Sequence, residues 1–134
     1  MIYALDTNIL TYLLKGNQSV IRNADSVTND GNLLILPPIV DYELLRGLLA
    51  RRMEKKLRQY LVFRQTVTVR AFDEDVWTKA AHIYAALRRR GKPVGDADIL
   101  IAAFCIVNQC VLVTNNENHF AGIDGLDVTN WVQP

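Results

Sequence analysis

Cysteine is almost missing from this chain: Cys105 and Cys110 are the only two in 134 residues. Two are too few for a disulfide framework. Placed five apart on one helix, they would point about 140° away from each other. They read as small core hydrophobes in a reducing cytoplasm. Glycine and proline are also sparse, at seven and four, which excludes collagen-like and low-complexity chains. Long apolar runs are lacking. The longest, Ile99 to Val107, is nine residues, about half of what a bilayer span needs, so no membrane association is expected. No basic head precedes Ile2, and Asp6 interrupts the first apolar run, which argues against a signal peptide. Charge of one sign is lacking too. The 15 basic and 14 acidic residues leave a net charge of +1, with no global pull toward nucleic acid or membrane.

What is present suits one compact domain over residues 1–134. Half of the residues are hydrophobic and 22% are charged. A chain of this size buries roughly two-thirds of its unfolded surface without staples. The near-neutral sum hides local clusters. Arg51, Arg52, Lys55, Lys56, Arg58 and Arg64 face a single acid, Glu54, and a second basic cluster is Arg88, Arg89, Arg90 and Lys92. The acids Asp6, Asp41, Glu43, Asp96 and Asp98 instead fall near predicted element ends, so a basic surface around an acidic hole is compatible with the total.

Ile2–Leu5, Leu33–Leu36 and Val111–Thr114 are short apolar runs, each followed by turn or capping residues, as in buried parallel strands. Val67–Ala71 alternates and favours β-branched residues, which predicts another strand, and 127–129 suits a short edge strand with Trp131 as a C-terminal anchor. Helices are predicted over 9–15 and 19–29. The stretch 39–65 suits a two-helix hairpin better than one long helix. Asp73 is a good N-cap for a helix whose stripe is Val76, Ala80, Ile83, Tyr84 and Leu87, with His82 on the opposite, solvated face. Residues 96–108 form a helix apolar almost all round, hence buried. Strands alternating with helices predict an α/β domain with a mainly parallel sheet.

Ligands in such sheets sit beyond the carboxyl ends of the strands. Asp6 follows the first strand, Glu43 lies in the helix after the second, Asn115 and Asn116 follow the late strand, and Asp96 and Asp98 open the buried helix that leads into it. Two unit charges about 4 Å apart repel by roughly 4 kcal/mol at an effective dielectric near 20. A carboxylate cluster therefore calls for a cation, and oxygen-only ligands favour Mg²⁺ or Mn²⁺ over zinc. Each acid also has an ordinary reading. Asp6 can be a strand-end turn or cap. Asp96, directly after Gly95, can cap its helix, with Asp98 in the dipole-favoured first turn. On a helical wheel with Val40 at zero, Asp41 falls inside the Leu44–Leu48–Leu45 stripe at about 100° and Glu43 on its flank at about 300°. Periodicity alone nominates Asp41 as the inward acid.

Leu5-Asp6-Thr7-Asn8, Glu43-Leu-Leu-Arg-Gly47, Pro93-Val-Gly-Asp-Ala-Asp-Ile-Leu-Ile-Ala102, Leu112-Val-Thr-Asn-Asn116 with Phe120, and Gly125-Leu126 before Trp131 together resemble the PIN-domain family, in particular its VapC-like toxins. The likeness covers nearly the whole chain. It implies a three-layer α/β/α domain and a Mg²⁺- or Mn²⁺-dependent endoribonuclease, the toxin of a toxin–antitoxin pair. Asp6 matches the family's first acid, Glu43 the second and Asp98 the third. Asp96 sits where the pattern varies, as a supporting acid and metal ligand or as the helix cap. Asn116 stands where many PIN domains have a fourth acid. The resemblance implies Asp6 and Asp98 as direct ligands, Glu43 acting through water, and Thr114 and Asn8 positioning the carboxylates.

Attack by water would leave 5′-phosphate and 3′-hydroxyl ends, and the basic stretches would hold RNA with a salt-dependent affinity. The resemblance further implies a protein antitoxin that obstructs the acidic pocket, a homodimer, a cytoplasmic setting, and contact with DNA only through the antitoxin. A phosphoacceptor receiver domain fits poorly: the first strand ends in one acid, and no Lys follows the late strand. A catalytically silent PIN-like binding module is the other alternative, opened by Asn116.

Overall fold

The computed structural model describes residues 1–133. Strand β1 is Ile2–Leu5, followed by helices α1 (Thr7–Leu14) and α2 (Gln18–Asn29), then β2 (Leu33–Leu36). The predicted hairpin is α3 (Pro38–Ala50) and α4 (Glu54–Arg64). After it come β3 (Thr68–Val69), α5 (Glu74–Arg89), α6 (Asp96–Val107), β4 (Cys110–Val113), α7 (Glu117–Phe120) and β5 (Asp127–Thr129). The five strands are ordered β3-β2-β1-β4-β5, and every neighbouring pair is parallel. The sheet is thus wholly rather than mainly parallel, and helices flank it in the expected three-layer α/β/α arrangement.

This order puts β1 in the middle. From β1 the chain steps outward to β2 and β3, then returns to the other side of β1 for β4 and β5. The carboxyl ends of β1 and β4 therefore bracket the point where the winding reverses, the usual place for a crevice in an open parallel sheet. Residues just past both strands continue the ladder: Asp6 N donates to Val113 O at 2.9 Å, and Thr114 N donates to Thr129 O at 3.0 Å. Asp6 and Thr114 are thereby held by backbone bonds beside each other.

The core consists of the apolar faces of the central strands and α6. Ala4, Leu5, Ile35, Leu36, Leu112 and Val113 are all buried, and α6 buries Ile99, Ile101, Ala102, Ala103, Phe104 and Cys105. Helix α5 buries Val76, Ala80, Ile83 and Leu87, while His82 is exposed as predicted. Tyr84 departs from the predicted stripe. It is 46% exposed, with the Arg88 guanidinium lying 5.5 Å from its ring centroid. Trp131 anchors the C-terminal segment, stacking obliquely on Tyr3 and accepting at its carbonyl from Ser19 Oγ at 2.6 Å.

Three local expectations change. Strand β3 covers two residues rather than the five of Val67–Ala71, because its partner β2 ends at Leu36 and Pro37 has no N–H to continue the ladder. Cys110 opens β4 and does not share a helix with Cys105; both thiols are free and buried. The N-cap of α6 is Gly95, so Asp96 is the first helical residue and its side chain caps nothing. Among the described residues no helix is long and apolar enough to cross a membrane.

Candidate active site

Asp6 is the most buried of the predicted acids, at 5% exposure. It is also the N-cap of α1, with Oδ1 accepting from Thr7 N at 2.7 Å. The capping and site readings are therefore not alternatives. Oδ2 accepts from Thr114 Oγ1 at 2.7 Å and from Asn8 Nδ2 at 3.1 Å. A carboxylate offers about four lone-pair positions, so these three donors leave one, on Oδ1. Thr114 is itself fully engaged: its hydroxyl also accepts from Asn116 N at 3.0 Å and from Asn8 Nδ2 at 3.3 Å.

Two further acids act on Asp6. Burial pushes the Asp6 carboxyl above its ordinary 3.8; hydrogen bonds from Thr114 and the Thr7 amide pull back, and the charges of Asp98 and Glu43 push up again. Glu43 is oriented by Thr7, whose hydroxyl donates to Oε1 at 3.0 Å. Asp98 has its own partner, with Oδ2 standing 3.0 Å from Nδ1 of His119. Asp6, Glu43 and Asp98, from three separate stretches of chain, thus share one electrostatic neighbourhood.

The remaining predicted residues lie differently. Asp96 is exposed and, with Ile99 and Leu100, borders a groove along α5 that contains Trp77 and Tyr84. Two residues along a helix turn a side chain by about 200°, so Asp96 faces away from Asp98. Asn116 is exposed at the start of α7, where its side chain caps nothing. Its backbone, bonded to Thr114 and His119, ties β4 to α7.

Asp41 is the inward acid that periodicity nominated, at 8% exposure, but it is neutralised. Arg64 grips it with Nε at 2.8 Å and Nη2 at 3.0 Å, and Tyr60 OH donates to it at 2.6 Å. Burial pushes this carboxyl up, yet the hydrogen bonds from Arg64 and Tyr60 and the guanidinium charge outweigh burial and hold it below 3.8. Its role is to fasten α4 to α3. One of the six basic residues of the 51–64 stretch is thereby accounted for as structural.

Sequence reasoning missed His119 and Thr7 as partners of the acids. Thr7 was available in principle, as the residue between Asp6 and the identified Asn8. No local signal marks His119, because its contact with Asp98 depends on packing between α6 and α7.

Among the described residues no three His, Cys, Asp or Glu side chains form a ready-made metal cage. Mg²⁺ does not require one, since it keeps several waters and is usually held by one or two carboxylates plus substrate phosphate. The donor set fits such an ion: carboxylate oxygens, one of them buried with a lone pair to spare, and no thiolate or imidazole cluster.

The model of the PIN domain matches residues 3–126. The chain belongs to the PIN-domain family. Within the PIN family it is similar to ribonuclease VapC1 of Haemophilus influenzae (strain R2866), 28% identical over 99% of this chain and 100% of the relative. It is also 30% identical to the tRNA(fMet)-specific endonuclease VapC of Shigella flexneri, over 96% of this chain and 97% of the relative. Among solved structures, VapBC2 from Rickettsia felis bound to a promoter DNA fragment matches with a TM-score of 0.92 at 28% identity, covering 98% of this chain and 100% of that one. VapBC-1 from nontypeable Haemophilus influenzae matches with a TM-score of 0.88 at 28% identity, over 99% and 100%. The relationship is thus to VapC ribonucleases along the whole PIN domain.

Proposed function

We propose that this PIN-domain chain is a divalent-metal-dependent endoribonuclease, the toxin of a toxin–antitoxin pair. The observation that carries the reading is that Glu43, tied to the Asp6 turn through Thr7, and Asp98 both bear on buried Asp6, where burial and their charges oppose its ionisation. Such a group is poised to accept positive charge. A divalent ion held by Asp6 and Asp98 supplies neutralisation of the scissile phosphate and acidification of water. Mg²⁺ and Mn²⁺ both suit oxygen donors, and Asp96, facing the α5 groove, is left out of the ligand set.

The chain's own residues do the rest. Thr114 and Asn8 fix the rotamer of Asp6, Thr7 fixes Glu43 and His119 fixes Asp98, so the carboxylates need no reorganisation during reaction. Glu43, less buried than Asp6, orients the attacking water and takes its proton. Asn116 offers an amide to a water at the rim. Lys15, Arg51 and Lys56 border the groove that contains Glu43 and Thr7, where cations meet the RNA backbone.

The antitoxin belongs to the same reading: solved relatives are toxin–antitoxin complexes, some on DNA, and DNA contact would run through that partner. The α3–α4 hairpin exposes Tyr42, Leu49, Leu61 and Val62, apolar surface suited to the antitoxin or to a second copy in a homodimer. A cytoplasmic setting agrees with two free buried thiols.

The test is cleavage of RNA by purified protein in Mg²⁺ or Mn²⁺, with and without chelator. Wild type cuts and leaves 5′-phosphate ends. Chelation stops it, and Asp6→Ala and Asp98→Ala each lose at least the roughly 10–100-fold that removal of a metal ligand's orienting partner costs. Equal behaviour of wild type and both variants would instead identify a silent PIN-like binding module.

A further inference from the structure

The surroundings of the acidic centre are asymmetric. On the Glu43 side the groove is cationic, with Lys15, Arg51 and Lys56 at its edge. On the Asp98 side a larger hollow of about 510 Å³ lies between the loop joining α5 to α6 and helix α7. Its lining is of another kind: Pro93 and Val94 supply apolar surface, Asn118 an amide, Lys92 a single cation, and Asp98 and His119 form the wall shared with the acidic centre. Lys92 and Asn118 are exposed, while Val94 is half-buried and packed against the core.

This chemistry does not suit a phosphate chain, which would need a row of cations. It suits a base. An unstacked nucleobase offers an apolar face and an edge of donors and acceptors, and sequence-specific RNA recognition reads bases in that splayed form. An amide can pair with either kind of edge group. The volume falls inside the ~300–1,000 Å³ typical of small-molecule sites. Because Asp98 belongs both to this wall and to the group acting on Asp6, an occupant would lie beside the acidic centre.

We propose that this hollow is the subsite for the ribonucleotide flanking the scissile phosphate, with Pro93 and Val94 against the base, Asn118 at its edge and Lys92 on its outer phosphate. RNA then crosses the centre with its backbone on the Lys15–Arg51–Lys56 side and one base turned into the hollow. Backbone contacts position and the base contact specifies. Asn118 is a specificity-determining residue for cleavage. The proposal rests on the ribonuclease reading.

The experiment uses the full chain and a short RNA that it cuts once, made in three forms: intact, without the base 5′ of the cut, and without the base 3′ of it. With wild type, one abasic form is cut with a KM raised about five- to tenfold, the size of a lost hydrogen bond plus some stacking, and the other form behaves as intact RNA. Asn118→Ala raises KM on intact RNA by a similar factor with kcat within about twofold, and it abolishes the difference between intact RNA and the sensitive abasic form. Lys92→Ala raises KM for all three alike and lowers the salt dependence. Both positions are exposed, so unchanged thermal melting certifies the fold of each variant. A wild type indifferent to both abasic forms overturns the subsite, and so does an Asn118→Ala that keeps the full abasic penalty. If Asn118→Ala cuts normally but holds the antitoxin more weakly, the hollow is an antitoxin contact and the proposal is wrong. If wild type cuts no RNA with either metal, the ribonuclease reading fails first, visibly separate from these outcomes, and takes the subsite with it.

Discussion

Asp41 and Glu43, two positions apart on α3, are both acids of the same helix with opposite assignments. Helical periodicity identified the more buried one, and the burial of Asp41 agrees with it. Periodicity could not tell that Arg64, 23 residues later, neutralises that carboxylate with two hydrogen bonds. The resemblance to PIN domains chose Glu43, which keeps an oriented oxygen beside Thr7. Glu43→Ala should abolish cleavage while leaving thermal stability nearly unchanged. Asp41→Ala should leave the chemistry intact and cost about 1–3 kcal/mol, because the Tyr60 hydroxyl loses its partner in a buried place. The pH dependence carries the same assignment. Asp41 is held below its ordinary value, so its contribution to stability is full above 3.8 and is lost as pH falls through the lower folded value. Asp6 is raised, so its share runs the other way, present at low pH and lost as pH rises through its folded value. Melting curves of metal-free protein should show a loss of stability toward acid that is shallower in Asp41→Asn. An unchanged slope in that variant would remove Asp41 as its source.

Most elements were legible because strand runs, caps and turns agree locally. Pro37-Pro38 start α3, Asp73 caps α5 by accepting from Val76 N, and Asp30-Gly31-Asn32 turns into β2. What escaped depended on neighbours. The length of β3 is set by where β2 stops, and the exposure of Tyr84 by what packs on α5. The break in the hairpin also lies outside local rules. It falls at Arg51–Met53, with Arg52 in the left-handed region at φ 52°, while Gly47 stays inside α3. Gly47 has helical backbone, and an added Cβ would meet nothing within 4 Å. Gly47→Ala should therefore stabilise the protein by about 0.5–1 kcal/mol, read as a higher denaturation midpoint with an unchanged slope. Destabilisation would show that the surroundings of Gly47 do not accept a Cβ.

At the scale of the molecule, the near-zero net charge conceals a division of labour. Asp6 stands at the carboxyl end of β1, where the winding reverses, with Glu43 and Asp98 acting on it, while Lys15, Arg51 and Lys56 border the groove beside Glu43 and other cations are paired elsewhere, as in Arg64–Asp41 and Arg90–Asp124. The candidate rim was visible in the sequence, since Asp6 follows β1, Glu43 lies in the helix after β2 and Asp98 stands in the first turn of α6. The partners that hold each carboxylate were only half visible: Thr114 and Asn8 were expected, whereas His119 arrived only with the packing of α7 on α6. Everything in the catalytic account depends on those carboxylates sharing one ion. A crystal of the protein soaked in Mn²⁺ and read by anomalous scattering measures this directly. One peak is expected about 2 Å from carboxylate oxygens of both Asp6 and Asp98, with Glu43 near enough to reach it through water. A peak elsewhere, or none beside Asp6 at saturating Mn²⁺, would contradict it.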